Sequence, residues 1–177
     1  INLKDIVFEF NPETAPADML FNQGMMIEKM SITDRLPYEA RLREIKVVLI
    51  RSMISDQLRY INIAKDWFTI SDLAEIRRHK FGQGKIGGKA AGMLLASRIL
   101  KEKSSDALKE CLRTPESFYL GADLYYTFLS VNNLMHWNDQ KYKSEDQMRH
   151  DHPLIVEDFI KGDFAPQVVQ YLETILG

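Results

Sequence analysis

"HKFGQGKIGGKAAGMLLASRIL", residues 79–100, decides how this chain is read. Five glycines, at 82, 84, 87, 88 and 92, fall within eleven residues, with lysines interleaved at 80, 85 and 89. They run straight into a helix-forming apolar segment. Glycine lacks a Cβ, so the backbone N–H groups around it can approach an anion closely. A helix that begins on such a turn points its positive end at the same anion. A lysine in the first turn adds a mobile point charge. The stretch therefore predicts a phosphate-binding turn, with Gly84, Lys85, Gly87, Gly88 and Lys89 as candidate binding residues. A plainer alternative is a helix–helix connection whose glycines serve only tight turns and close packing. On the helix expected from about Gly88 to Lys101, Gly92, Leu95, Ala96 and Ile99 share one side, and Gly92 is expected to sit against a neighbour.

Two familiar spacings come near this string and neither fits. Gly82-x-Gly84-x-x-Gly87 spells the dinucleotide fingerprint, but that fingerprint needs a strand before it inside a βαβ unit. What precedes it is "DLAEIRRHK", 72–80, which has helical periodicity and ends in basic residues. The Gly88–Lys89 pair suggests a Walker A loop, but the spacing from Gly84 is one residue short. Ala90 also stands where Ser or Thr should hold magnesium.

A third pattern fits better. "KIGGKAAGMLLA", 85–96, has paired glycines, a lysine, a small residue and then a helix of small and apolar residues. Downstream, "TPESFYLGADLYYTFLSVNNL", 114–134, gives a Pro-led strand, a helix and an asparagine-rich turn. In this order the two blocks resemble the N-terminal nucleotide-binding domain of the phosphoenolpyruvate synthase and pyruvate phosphate dikinase family. Residues 66–134 carry the likeness, and 17–65 resemble an extension found in a bacterial branch. The resemblance implies an ATP-grasp module in which Lys89 contacts ATP phosphates, with magnesium as cofactor. It also implies a phosphohistidine carrier domain in the parent chain and pyruvate or another phosphoryl acceptor. The family's later block, an arginine beside serines followed by magnesium-binding acids, has no match. "IRSM", 50–53, lies too early and inside a helical pattern, so Arg51 does not take that role. The chain is expected to be the N-terminal part of such a module and not to catalyse the whole reaction by itself. The competing reading is a helical interaction or regulatory module.

Outward from the glycines, helical signals dominate. "LKDIVFEF", 3–10, is a strand candidate, and "NPETAP", 11–16, a turn. Residues 17–32 read as a helix interrupted at Gly24, its methionines filling irregular core. From 33 to 68, Leu42, Ile45, Leu49 and Met53 recur at spacings of three and four. Val47, Ile50, Ile54, Leu58 and Ile61 make a second stripe, predicting one long helix or two with a break. Thr69, Ser71 or Asp72 caps the next helix. Residues 136–152 read as polar and loop-like at their start, and Pro153 and Pro166 each suit a first helical turn. The fold class is mostly α with a minor β component, the helix-rich part of an ATP-grasp-type domain. It is divided at about residue 65 but packed as one globular unit.

The whole chain adds bounds. Its 177 residues suit one domain with a real core, at 45% hydrophobic and 27% charged. A net charge of −2 gives no broad electrostatic reason to expect nucleic acid or an anionic membrane. The single cysteine, Cys111, excludes an intrachain disulfide framework and fits a cytoplasmic setting. It is expected to pack as a small hydrophobe. His150, Asp151 and His152 form a short cluster read as surface loop, and the basic run Arg77, Arg78, His79, Lys80 reads as a solvated helix end.

Overall fold

The computed structural model describes residues 10–177, so the strand expected over 3–10 lies almost wholly outside the described residues. Ten α-helices and one two-stranded sheet are described. The mostly helical class with a minor β component is therefore what the chain adopts. No helix among the described residues is long and apolar enough to cross a membrane. The chain divides into two compact units. One comprises residues up to Lys80 together with Lys85–Tyr119, and the other Phe81–Gly84 and Leu120–Gly177.

The first unit holds the larger core. Helices α1 (Ala17–Glu28), α3 (Glu39–Met53), α4 (Leu58–Trp67) and α5 (Ile70–Arg78) pack together, and α6 (Gly88–Lys103) packs on α4. The short α2 (Ile32–Arg35) and a 3-10 turn lead into α3. The stripe Leu42, Ile45, Leu49, Met53 is buried throughout, as its spacing predicts. Each such side chain contributes roughly 1.5–3 kcal/mol when removed from water. The long helical signal is in fact two helices. Residues 54–57 separate them, where the Ser55 hydroxyl accepts the Gln57 N–H at 3.3 Å in place of a helical bond. Leu58, counted in the second stripe, lies in the first turn of α4 and is exposed. Thr69 caps α5 reciprocally with Asp72, a full capping box.

Gly24 does not interrupt α1, which runs unbroken through it. A Cβ at Gly24 would lie 2.7 Å from Ile70 Cδ1, so the missing side chain lets α1 approach α5. Met25 and Met30 pack on the core as expected, whereas Met19 and Met26 are exposed. Cys111 also differs from expectation: it ends α7 (Asp106–Cys111) and is exposed.

Strands β1 (Lys80–Phe81) and β2 (Tyr119–Leu120) form the sheet. The Tyr119 N–H donates to the His79 carbonyl and the Gly121 N–H to the Phe81 carbonyl, both at 2.8 Å. The same offset in both bonds makes the pair parallel, which the intervening crossover through α6 and α7 permits.

The second unit has a smaller core of Phe128, Leu129 and Leu134, with Trp137 and Phe159 against it. It contains α8 (Ala122–Val131), a 3-10 segment (Met135–Tyr142), α9 (Glu145–Lys161) and α10 (Pro166–Leu176). Pro166 opens α10 as predicted, but Pro153 lies inside α9. That helix starts eight residues earlier, on a capping box of Ser144 and Gln147, so His150 and His152 are helical and exposed.

Candidate functional site

The five candidate residues have three different situations. Gly84 belongs to the turn Gly82–Gly84, and its N–H donates to Asp123 Oδ1 at 2.6 Å. Lys85 is half-buried, and its Nζ lies 3.4 Å from Asp56 Oδ2, so its charge already has a partner. Gly87, Gly88 and Lys89 are exposed at the start of α6.

The start of α6 is built for an open N-terminus. Gly87 takes φ +83°, a left-handed conformation that residues with a Cβ rarely adopt. Its carbonyl accepts the Ala91 N–H at 3.0 Å and so begins the helix. No side chain caps the helix and its first turn holds no acidic residue. The N–H groups of Gly88, Lys89 and Ala90 precede the first intrahelical bond and are left for an outside acceptor. A Cβ at Gly87 or Gly88 would find no atom within 4 Å. Lys89 makes no ion pair or hydrogen bond among the described residues.

Anchors within the same unit fix this turn. The Ile86 N–H donates to the Met53 carbonyl at 3.2 Å, and the Tyr60 hydroxyl to the Ala91 carbonyl at 2.9 Å. Burial pushes the Tyr60 phenol well above its ordinary pKa, so it stays a neutral donor. In the sequence Met53 stands out only as part of an apolar stripe, and Asp56 and Tyr60 not at all, because the partner of each lies about thirty residues along the chain.

Other candidates are placed elsewhere. Arg77 pairs with Asp18 at 2.7 Å, Arg78 with Glu75 at 2.6 Å, and His79 faces Glu75 at 3.1 Å. Arg77, Arg78 and His79 thus face carboxylates of their own unit. Asp151 accepts from Lys143 at 2.9 Å and Gln140 at 3.2 Å, tying α9 to the 3-10 segment. No group of three or more His, Cys, Asp or Glu suited to a metal ion occurs among the described residues. A cavity of about 350 Å³ lies between α5, α6 and residues 114–119, and none of the five candidates lines it.

The arrangement suits one oxyanion group. Uncapped amides and the helix dipole meet at a start where no side chain stands against Gly87 or Gly88, and Lys89 carries its charge in the same turn. An ATP phosphate fits this donor set. Magnesium does not find a comparable carboxylate set among the described residues.

Residues 83–177 match the model of the family described as pyruvate phosphate dikinase, AMP/ATP-binding domain. The match covers more than half of the chain and includes all five candidate residues. No curated protein and no solved structure gives a significant match. An open, uncapped glycine–lysine helix start inside the matched stretch accords with that description, and the chain belongs to the pyruvate phosphate dikinase AMP/ATP-binding domain family.

Proposed function

We propose that this chain is the ATP-binding portion of a phosphotransferase of the phosphoenolpyruvate synthase and dikinase type, and that Gly87, Gly88 and Lys89 hold nucleotide phosphates. The observation that carries the reading is Gly88. It needs no positive φ, and no atom lies within 4 Å of where its Cβ would be. Neither backbone conformation nor packing inside the chain asks for a glycine there. Gly92 shares that open space, but Gly88 is the first residue of the uncapped α6, where its N–H has no intrahelical acceptor and an outside oxyanion can reach it. A purely structural glycine connection, the competing reading, would place neighbouring atoms against these glycines.

In this role the N–H groups of Gly88 and Lys89 donate to phosphate oxygens, and the Lys89 ammonium neutralises charge beside them. Lys85 plays a lesser part, since a phosphate must compete with Asp56 for it. ATP, when bound, supplies the phosphoryl group. In the intact parent, the acceptors are a histidine on a carrier domain and then pyruvate or another small molecule. This chain's contribution is position and charge compensation.

Calorimetric titration with ATP tests the reading on the wild-type protein and two variants. A hydrogen bond to a charged group is worth roughly 1.5–3 kcal/mol. Lys89→Ala should therefore weaken ATP binding about tenfold to a hundredfold, and Lys85→Ala distinctly less. Unchanged affinity in Lys89→Ala would remove Lys89 from the site and restore the structural reading of the glycines.

A further inference from the structure

We propose that the cavity between α5, α6 and residues 114–119 is a binding site for a free α-amino acid with an apolar side chain. The site lies wholly within the first unit and is independent of the nucleotide reading. Its α6 wall begins at Met93, one turn past Lys89.

The cavity holds about 350 Å³, at the small end of the roughly 300–1,000 Å³ in which small-molecule sites fall. Its walls are tied in place. Arg98 reaches from α6 to the end of α4 and the start of α5. Its Nε donates to the Trp67 carbonyl at 3.0 Å and lies 3.1 Å from Asp72 Oδ2. The wall of residues 114–119 is held at its far end. There the Tyr119 N–H donates to the His79 carbonyl at 2.8 Å, and Phe118 stands edge-on to the His79 ring at 5.2 Å. A site formed before its ligand arrives spares the ligand that ordering cost.

The lining has an apolar part and two unpartnered charges. Phe68 and Ile76 are buried against the cavity, and Leu94 and Tyr119 are half-buried. An apolar group filling that space leaves water. Most of the charges around it are already paired. Asp72 and Arg98 face each other, and Glu75 faces Arg78 and His79. Lys101 and Glu116 make no ion pair or hydrogen bond among the described residues, and they do not pair with one another. Ser97, one turn before Lys101 on α6, offers a hydroxyl that is equally unengaged. A purely anionic ligand would leave its charge facing Glu116, and a purely cationic one would face Lys101. A zwitterion answers both. Its carboxylate takes Lys101 and Ser97, its ammonium takes Glu116, and its side chain takes the apolar wall.

Calorimetric titration of the full chain with L-leucine and L-phenylalanine tests this, with amide chemical shifts locating the site. At least one of the two should bind saturably and move the amides of Ile76, Ser97 and Tyr119. Lys101→Met and Glu116→Gln should each weaken that binding about twofold to fivefold, a modest loss because both groups are exposed. Neither side chain has a partner to lose, so both variants should fold. 3-Phenylpropanoate lacks the ammonium and should be indifferent to Glu116→Gln. L-Phenylalaninamide lacks the carboxylate and should be indifferent to Lys101→Met. Failure of both amino acids to bind would overturn the proposal, as would binding that neither variant weakens. Either analogue binding the wild-type chain as tightly as phenylalanine would overturn the assignment to a zwitterion.

Discussion

Gly24 and Gly92 both occupy helix interiors in the first unit, yet the same substitution should affect them with opposite sign. Within a helix, alanine is favoured over glycine by about 1 kcal/mol. At Gly92 nothing opposes that gain, because no atom lies within 4 Å of the new Cβ. Gly92→Ala should stabilise the unit by roughly 0.5–1 kcal/mol. At Gly24 the new methyl would sit 2.7 and 2.8 Å from Ile70 Cδ1 and Cγ1, and 3.4 Å from Ile45 Cγ2. Carbon atoms settle at about 3.5–4.0 Å, so Ile70 must retreat by roughly an ångström. Ile70 and Ile45 are both fully buried, so any retreat is into the packed core of the unit. Overpacking of this kind costs about 1–3 kcal/mol, which outweighs the helical gain. Gly24→Ala should come out neutral to about 2 kcal/mol destabilised, and the two variants should differ by about 1–3 kcal/mol. Urea-dependent amide exchange at Ile45 and Leu49 on α3 reads the stability of this unit directly. A Gly24→Ala protein as stable as Gly92→Ala would refute the close approach of α1 to α5. A destabilised Gly92→Ala would refute the open outer face of α6.

Two further outcomes follow from titrating groups. Tyr60→Phe should cost about 0.5–1.5 kcal/mol by removing the bond to the Ala91 carbonyl. Burial raises the Tyr60 pKa above its ordinary 10.0, so the folded state favours the neutral phenol. Its stabilisation is complete below pH 10 and declines as pH rises further; urea midpoints from pH 8 upward should show this decline shallower in Tyr60→Phe. Tyr119, raised by the same cause, should keep part of the slope. Asp151 behaves in the opposite sense: hydrogen bonds from Lys143 and Gln140 hold its carboxyl below the ordinary 3.8. Its contribution is present above that value and lost as pH falls below it. Asp151→Asn should therefore flatten the acid loss of α9 amide protection, and an unchanged acid profile would show that the contact does not hold α9.

What could be read in the sequence were the features carried by side-chain periodicity. The stripe from Leu42 to Met53, the Thr69 cap and Pro166 at the start of α10 all report local physics, and each appears as expected. The misreadings came where one residue type has two uses. Gly24 looked like a helix break and is a packing site, while Gly92 looked like a packing site and is open. No local signal separates these, since a glycine's use depends on what stands opposite. Pro153 reads as a helix start, yet Ser144 and Gln147 spell a capping box upstream, and it is there that the helix begins. At the candidate site, Gly87, Gly88 and Lys89 were legible because a glycine pair and a lysine at a helix start form a local pattern. Asp56 and Tyr60 were not, because the partner of each lies about thirty residues along the chain.

The helices before residue 83 lie outside the family match, and their sequence carries no chemical motif. They nonetheless hold the start of α6. The Met53 carbonyl at the end of α3 accepts the Ile86 N–H, Asp56 in the α3–α4 break pairs with Lys85, and Tyr60 on α4 reaches the Ala91 carbonyl. Three successive parts of the extension thus grip the turn on both sides of Gly87 and Gly88 without covering either. A turn ordered in advance spares the ligand that ordering cost, so these contacts bear on phosphate affinity as well as on stability. Of the groups these helices supply, only the Met53 carbonyl is one that any residue carries; Asp56 and Tyr60 act through their side chains. A single aspartate and a single tyrosine spell no motif, so only their placement beside α6, with that of the Met53 carbonyl, discloses what these helices contribute.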